Sequence, residues 1–254
     1  MSASAARWRR FRPKEHSLGV AHRGASREAP ENTLGAFRRA LDAGAPAVEF
    51  DVQRTRDGRL VVIHDQTVDR TTDGRGPVAA LTFEEIRRLD AGRWFDPAFA
   101  GERVPSLDEV LGLLRDRALV FLEIKNGPMF YEGIEAQVAD ALRRHGMLEA
   151  ALVISFDHPA VRTMRAAAPD VATAVIYTGR LADARGAARA VDADALCPGW
   201  SLLTAGVVAE AHDAGLGVVP WTVDEEAAMR RCLAWGVDGV TSNDVRLLAR
   251  VLGR

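Results

Sequence analysis

The chain has 254 residues, of which 48% are hydrophobic and 27% charged, and its formal net charge is −2. This composition is typical of a globular protein that buries a large core, and it excludes the clustered excess of basic residues found in nucleic-acid-binding proteins. No stretch approaches the roughly 20 apolar residues of a membrane span, so we expect no integral membrane segment.

The N-terminus, MSASAARWRRFRPKEHS, is basic, and no apolar segment follows it as in a secretory signal. We therefore expect a solvated basic tail over residues 1–16 and a cytoplasmic protein. The two cysteines, Cys197 and Cys232, lack a metal-type spacing and are expected to be reduced and partly buried.

Short apolar runs alternate with amphipathic stretches from the start of the ordered sequence. The run SLGVAH predicts a strand, and NTLGAFRRALDAG predicts a helix with Asn32 as its N-cap and Gly44 just after its end. A second strand, APAVEFDVQ, is followed by Asp57 and Gly58, which predict a two-residue hairpin turn. If the turn closes on these two residues, Asp51 lies opposite His64 on a third strand candidate.

Residues 66–105 separate this hairpin from the next helix–strand unit and are too long for a simple loop. Thr82 and Glu85 have the spacing of a capping box, so we expect a small insertion with its own helix. Strands and helices then alternate to the C-terminus. This alternation predicts an α/β protein, a (β/α)₈ TIM barrel over residues 17–254. The barrel has places for eight strands and the sequence offers nine candidates, so we expect one strand to be an accessory arm.

Two carboxylates mark the end of the second strand. Glu49 and Asp51 are two residues apart and share one face, whereas Phe50 points to the other. Two unpaired carboxylates at an interior strand end are costly, and a divalent cation would relieve that cost. Taken alone, the pair also fits a salt-bridged strand end, and His64 also fits a hydrogen-bonded core histidine.

Two further strand ends carry similar groups. LEIK ends a strand with Glu123 and Lys125 on one face, and AHRG ends the first strand with His22 and Arg23. Catalytic groups of barrels lie at the C-terminal ends of the strands. Together with His64 and the carboxylate pair, these groups suit phosphoryl chemistry, because they combine oxygen ligands for a hard cation, cations for anionic oxygens and imidazoles for proton transfer.

The ordered motifs AHRGASREAPENTLGAF, EFDVQRTRDGRLVVIHD, DRTTDGRG, LDAG, PSLDEVL, LEIK, ISF, WTV and GVDGV resemble the glycerophosphodiester phosphodiesterase family. The resemblance runs from about Gly19 to about Asn243. It implies a barrel of the phospholipase-C-like phosphodiesterase type, a divalent metal, and hydrolysis of glycerophosphodiesters to sn-glycerol 3-phosphate and an alcohol. The insertion matches one in the family and is expected to overhang the mouth of the barrel.

The resemblance also implies roles for single residues. Glu49, Asp51 and Glu123 match the family's metal ligands. His22 and His64 match its catalytic acid/base pair. Arg23 and Lys125 match residues near the phosphate, where Arg23 is expected to be catalytic and both are expected to bind substrate. Trp221 matches an aromatic residue that lines the substrate site, with a plain rim or core tryptophan as the alternative. Glu31 and Asn32 match as well, and we interpret them as a supporting residue and a helix cap. The last strand departs from the family, because Ser242 stands where an aspartate is more common.

The expected metal is Mg²⁺ or Ca²⁺, with Mn²⁺ as a further candidate, and the expected partner is a small glycerophosphodiester substrate. The sequence makes no prediction of the oligomeric state. One alternative is a lysophospholipase D, whose apolar groove would come from Trp94, Phe95 and Phe99 unless these form the core of the insertion. The other is a non-catalytic phosphate-ester binding protein, against which the complete set of site residues argues.

Overall fold

Strands and helices alternate along the chain in the computed structural model, which describes residues 7–12 and 17–253. The strands are β1 Leu18–His22, β2 Ala47–Arg54, β3 Leu60–Val62, β4 Leu119–Ile124, β5 Ala151–Ser155, β6 Ala172–Tyr177, β7 Ala195–Pro198, β8 Gly217–Val218 and β9 Gly239–Ser242. The helices are α1 Leu34–Asp42, α2 Phe83–Arg87, α3 Leu107–Leu114, α4 Ile134–Arg144, α5 His158–Ala167, α6 Ala184–Arg189, α7 Ala205–Asp213, α8 Glu226–Ala234 and α9 Val245–Val251.

Eight of the strands form one parallel sheet in the order β8-β7-β6-β5-β4-β2-β1-β9. Backbone hydrogen bonds from Asp238 N to Val218 O (2.9 Å) and from Thr241 N to Pro220 O (3.0 Å) bring β8 against β9 and complete the ring. The predicted (β/α)₈ barrel is confirmed. No helix among the described residues is long and apolar enough to cross a bilayer.

The remaining strand, β3, lies outside this ring, pairs with β2 and is the accessory arm that the strand count predicts. Its predicted register is wrong by one residue, since Val52 lies opposite Val62 and Ile63, not His64, bonds to Asp51. The turn has three residues, because the Thr55 N–H donates to the Arg59 carbonyl at 2.9 Å. Gly58 adopts a φ of +81°, as the last residue of such a three-residue turn does.

The insertion after β3 folds around a small core of its own. Helix α2 begins after Thr82, whose capping box with Glu85 is confirmed, and two 3₁₀ turns flank it. The core contains Val68, Val78, Ile86 and Val104 among its buried residues. Phe95 contacts Trp94 and Phe99 edge to face, and all three aromatic residues remain partly or largely exposed.

The N-terminal segment covers the floor of the barrel. Trp8 and Phe11 are 4% and 1% exposed, and the Phe11 ring meets Phe121 edge to face at 5.8 Å. Arg7 reaches the buried carboxylate of Asp194 at 2.9 Å. The expectation of a solvated tail is therefore wrong for residues 7–12, because two aromatic residues within the basic run bury against the barrel. The rest of the expected tail, residues 1–6 and 13–16, lies outside the described residues.

Candidate active site

Parallel pairing places the charged strand ends side by side. Glu49 lies opposite His22 on β1, and Asp51 lies opposite Glu123 on β4. These side chains follow the inward-facing residues of their strands, as the two-residue alternation predicts. Phe50 points outward and packs against helix α1, with its ring 5.8 Å from that of Phe37.

Glu49, Asp51 and Glu123 form a group of three buried carboxylates. One oxygen of each lies within 4.8 Å of the others, and the residues are 3%, 1% and 7% exposed. Asp51 Oδ1 is buried without a hydrogen-bond partner, and coordination of a metal ion by this oxygen would explain that arrangement. An all-carboxylate donor set suits a hard cation such as Mg²⁺, Ca²⁺ or Mn²⁺. The residues present therefore fit a divalent metal ion.

Crowding shifts the pKa values of these carboxyl groups in opposite directions. Burial, and then the charges of Asp51 and Glu123, raise the pKa of Glu49 well above its usual range. Burial and the charge of Asp51 raise the pKa of Glu123 to about 7. Burial acts the same way on Asp51, but Lys125 and Arg23 outweigh it and hold the pKa of that carboxyl well below its usual range. A bound divalent cation would favour the ionised form of all three groups.

Arg23 and Lys125 flank the carboxylates. Lys125 Nζ lies 2.7 Å from Glu123 Oε1 and 3.5 Å from Asp51 Oδ1, and Arg23 Nε lies 3.3 Å from Asp51 Oδ2. Arg23 has a φ of +56°, and its backbone N–H donates to Glu49 Oε2 at 3.0 Å. Gly24 permits a tight exit from β1, because a Cβ there would lie 2.7 Å from the backbone of Ala36 in α1.

Hydrogen bonds define the orientation of His22. Its Nδ1 lies 2.7 Å from Asn243 Oδ1, and Asn243 Nδ2 donates to Asp224 Oδ2 at 2.6 Å. Because Asn243 presents an acceptor, His22 carries its proton on Nδ1, and Nε2, 3.8 Å from Glu49 Oε2, is free to accept one. Burial and the charge of Arg23 lower the pKa of His22 to about 4, so the ring is neutral near physiological pH.

The sequence patterns gave no indication of roles for Asn243 and Asp224. The only signal was the unusual end of the last strand, where the Ser242 hydroxyl donates to Asp224 Oδ1 at 2.9 Å. The polar contact with His22 comes from Asn243, the next residue along the chain.

His64 reaches the site although its predicted strand register is wrong. The chain leaves β3 at Val62. The buried Gln53 amide then donates to the carbonyls of His64 and Asp65 at 2.9 and 2.6 Å and holds this segment at the cavity. His64 Nδ1 lies 2.7 Å from Asp65 Oδ1, so Nε2 is again the free nitrogen. Burial, together with the charges of Arg23 and Lys125, lowers the pKa of His64.

Asn32 and Glu31 both belong to the site. The interpretation of Asn32 as a helix cap is wrong, since Thr33 caps α1 by accepting from Ala36 N. Asn32 instead adopts a φ of +59° and donates from Nδ2 to Asp51 Oδ2 at 2.7 Å. Glu31 accepts from Arg23 Nη1 at 2.9 Å, in agreement with the supporting role expected for it.

A cavity of about 190 Å³ opens above these groups and has two unlike sides. Its charged side holds His22, Arg23, Glu49, His64 and Glu123. Its apolar side holds Phe121, Ile154, Phe156, Ile176, Cys197, Val219 and Trp221. Trp221 thus lines the cavity, with its ring 5.4 Å from that of Phe156 and its Nε1 donating to the Cys197 carbonyl. Trp94, Phe95 and Phe99 are not among the lining residues, and both cysteines are free and buried.

The chain has close counterparts among known proteins. Residues 22–247 match the model of the glycerophosphoryl diester phosphodiesterase family. A glycerophosphodiester phosphodiesterase of Caldanaerobacter subterraneus subsp. tengcongensis is 41% identical over 93% of this chain and 98% of its own. The glycerophosphodiester phosphodiesterase of Bacillus subtilis is 33% identical over 92% of this chain and 86% of its own.

Solved structures of phosphodiesterases also superpose on this chain. The glycerophosphodiester phosphodiesterase of Agrobacterium tumefaciens superposes with a TM-score of 0.81 at 34% identity, covering 92% of this chain and 99% of its own. A phosphodiesterase of Oleispira antarctica in complex with the product sn-glycerol-3-phosphate has a TM-score of 0.86 at 27% identity, with 96% and 98% coverage. These relatives are enzymes, so the alternative of a non-catalytic binding protein is set aside. The chain belongs to the glycerophosphoryl diester phosphodiesterase family and is an enzyme of that class.

Proposed function

We propose that the chain hydrolyses glycerophosphodiesters to sn-glycerol 3-phosphate and an alcohol in a metal-dependent reaction that uses two histidines. The observation that carries this proposal is the clustering of three buried carboxylates with two cationic side chains and two imidazoles. Of these groups, Glu49, Glu123, Arg23 and both histidines line one cavity. The Oleispira relative, solved with sn-glycerol-3-phosphate, supports a glycerol phosphate as one product.

Glu49, Asp51 and Glu123 would hold the metal, Mg²⁺ or Ca²⁺ with Mn²⁺ as a further candidate. When bound, such an ion polarises a phosphoryl oxygen and lowers the pKa of a hydroxyl that it contacts. Arg23 and Lys125 lie beside the carboxylates and would stabilise the negative charge that builds up on the phosphate oxygens.

His22 and His64 would exchange the protons. Each ring has its Nδ1 engaged by a neighbouring side chain, so Nε2 is the nitrogen available to the substrate. One imidazole removes a proton from the nucleophile, and the other protonates the departing alkoxide. The nucleophile is either water or the neighbouring substrate hydroxyl, and the second route passes through a cyclic glycerophosphate that trapping experiments would detect.

The test is release of sn-glycerol 3-phosphate from glycerophosphocholine and glycerophosphoethanolamine, in EDTA and after Mg²⁺, Mn²⁺ or Ca²⁺ is added back. We expect activity on both substrates that EDTA abolishes and a divalent metal restores. Hydrolysis that persists unchanged in EDTA would refute the metal-dependent mechanism. Inactivity on both substrates with every metal would refute the proposed substrate class.

The exposed apolar residues favour a second candidate, lysophospholipase D activity. Large apolar side chains that are exposed in the described part of the chain are Trp94, Met129, Phe130, Phe156, Leu181 and Leu202. Except for Trp94, they follow the C-terminal ends of β4, β5, β6 and β7, and Phe156 also belongs to the apolar side of the cavity. This arc, rather than the insertion aromatics, would receive an acyl chain.

Choline release from lysophosphatidylcholine tests this candidate. We expect Phe130→Ser to lower kcat/KM for lysophosphatidylcholine and to leave kcat/KM for glycerophosphocholine unchanged, because Phe130 is 69% exposed and lies outside the cavity lining. Equal kcat/KM of wild type and variant for the acylated substrate would exclude a role for this arc.

A further inference from the structure

Arg70 stands at the centre of an ion-pair network that links the insertion to both sides of the site. It belongs to the motif DRTTDGRG, none of whose residues has a role in the chemistry proposed above. Its guanidinium contacts two carboxylates, each with two hydrogen bonds. Nε and Nη2 donate to Asp65 at 2.7 and 3.0 Å, and Nη1 and Nη2 donate to Glu31 at 2.9 and 2.7 Å.

Each of these carboxylates holds a residue of the site. Asp65 Oδ1 lies 2.7 Å from His64 Nδ1, and Glu31 Oε1 accepts from Arg23 Nη1 at 2.9 Å. A continuous chain of hydrogen bonds therefore runs from His64 through Asp65, Arg70 and Glu31 to Arg23, and charge alternates along it from Asp65 onward. Without Arg70, the two carboxylates would lose the cation between them, and neither would keep its present orientation.

The backbone that carries Arg70 is itself anchored. Val68 is buried in the insertion core and its N–H donates to the Gly76 carbonyl at 3.0 Å. The Thr72 hydroxyl donates to the Val68 carbonyl at 2.7 Å. A guanidinium on this loop is thus preorganised, and its planar fork of donors matches two carboxylates at once, which a lysine ammonium does not.

We propose that Arg70 is a positioning residue through which the insertion fixes the His64 imidazole and the Arg23 guanidinium relative to each other. This inference rests on the proposed function for its catalytic consequence. Displacement of a catalytic group by about 1 Å can cost about 100-fold in rate, so we expect a loss of kcat of that order in Arg70→Ala. The Michaelis constant should change less than kcat, because Arg70 does not line the cavity.

Arg75→Ala is the matched control. It removes an arginine of the same insertion whose side chain is 90% exposed. The Arg75 guanidinium lies 4.0 Å from the Asp69 carboxylate, a long and solvent-exposed ion pair. Arg70→Lys keeps the charge but cannot bridge both carboxylates, so its kcat should also fall. Added guanidinium should partly restore kcat in Arg70→Ala and have no such effect on Arg75→Ala. If Arg70→Ala kept the kcat of Arg75→Ala, or changed only the Michaelis constant, the proposal would be overturned.

A second readout does not depend on substrate. The ¹⁵N chemical shifts of the His64 ring, assigned by comparison with His64→Gln, report which nitrogen carries the proton. Wild type and Arg75→Ala should show the Nδ1–H tautomer, and Arg70→Lys, which retains the positive charge, should show a mixture. An unchanged tautomer in Arg70→Lys would refute the positioning role. If wild type lacked activity on every glycerophosphodiester, the proposed function would fail, and these shifts would still decide the role of Arg70.

Discussion

Replacing Glu123 by glutamine should stabilise the metal-depleted protein above about pH 7 and abolish the stabilisation that a divalent cation provides. Burial and the charge of Asp51 raise the pKa of Glu123 from 4.5 to about 7. The folded state therefore binds this proton more tightly than the unfolded state does. As a result, the free energy of unfolding decreases as the pH rises from about 4.5 to about 7.

A pKa rise of this size corresponds to about 3 kcal/mol of lost stability once the carboxylate is ionised. Glutamine removes that cost, in which the favourable 2.7 Å ion pair with Lys125 is already counted. Because it also leaves a buried amide that needs partners, about 3 kcal/mol is an upper limit. Each kcal/mol shifts the melting temperature of a chain of this size by about 2–4 °C. A cation at about 100 times its dissociation constant should stabilise wild type by about 2.7 kcal/mol and the variant by much less.

Thermal unfolding in EDTA and in Mg²⁺ or Ca²⁺, followed by circular dichroism at acidic and at alkaline pH, measures both effects. Glu135→Gln is the control, because Glu135 is 6% exposed, has a pKa raised by burial and lies outside the carboxylate group. The control should keep the full cation response. If Glu123→Gln retained that response, or were less stable than wild type in EDTA above about pH 7, the electrostatic account of the site would be wrong.

Three further predictions concern single residues. His22→Ala and His64→Ala should each lower kcat by about 10²–10⁴-fold and keep the cation-induced rise in melting temperature. A kcat near that of wild type in both variants would refute the acid/base assignment. Hydrogen bonds from Arg70 and His64 hold the pKa of Asp65 at about 2, against an ordinary 3.8, so the stability that this carboxylate contributes is lost as the pH falls between those values. Urea unfolding should accordingly show the stability difference between wild type and Asp65→Asn shrinking across that range, whereas a constant difference would contradict the ion-pair network. Phe11→Ala should reduce the free energy of unfolding by about 3–5 kcal/mol, because Phe11 is 1% exposed at the barrel floor. A neutral effect on stability in thermal or urea unfolding would show that the floor does not need the segment.

The barrel and the central groups of the site were predictable because they depend on short-range periodicity. Alternation within a strand puts Glu49 and Asp51 on one face, and the parallel order of the strands then places His22 and Glu123 beside them. The hairpin was harder, because Asp57 and Gly58 fit turns of two or three residues equally well. His64 reached the site through the Gln53 contacts, which no local pattern indicates.

Long-range polar contacts account for the other failures. Asn32 has the local signature of a helix cap, but its amide bonds instead to Asp51, 19 residues away. Asn243 and His22 are 221 residues apart and meet only because the barrel closes. Trp8 and Phe11 are hidden in a basic run, and their burial depends on a barrel floor that the sequence around them does not reveal.

The measurement that tests the account most directly is a paired titration of metal-depleted enzyme with Mg²⁺ or Ca²⁺. Calorimetry would give the number of ions bound, and release of sn-glycerol 3-phosphate from glycerophosphocholine would give the activity. We predict one ion per chain, activity that rises in parallel with its binding, and loss of both in Asp51→Asn. Full activity before any ion binds, or ion binding that survives Asp51→Asn unchanged, would contradict the assignment of the carboxylate group as the metal centre.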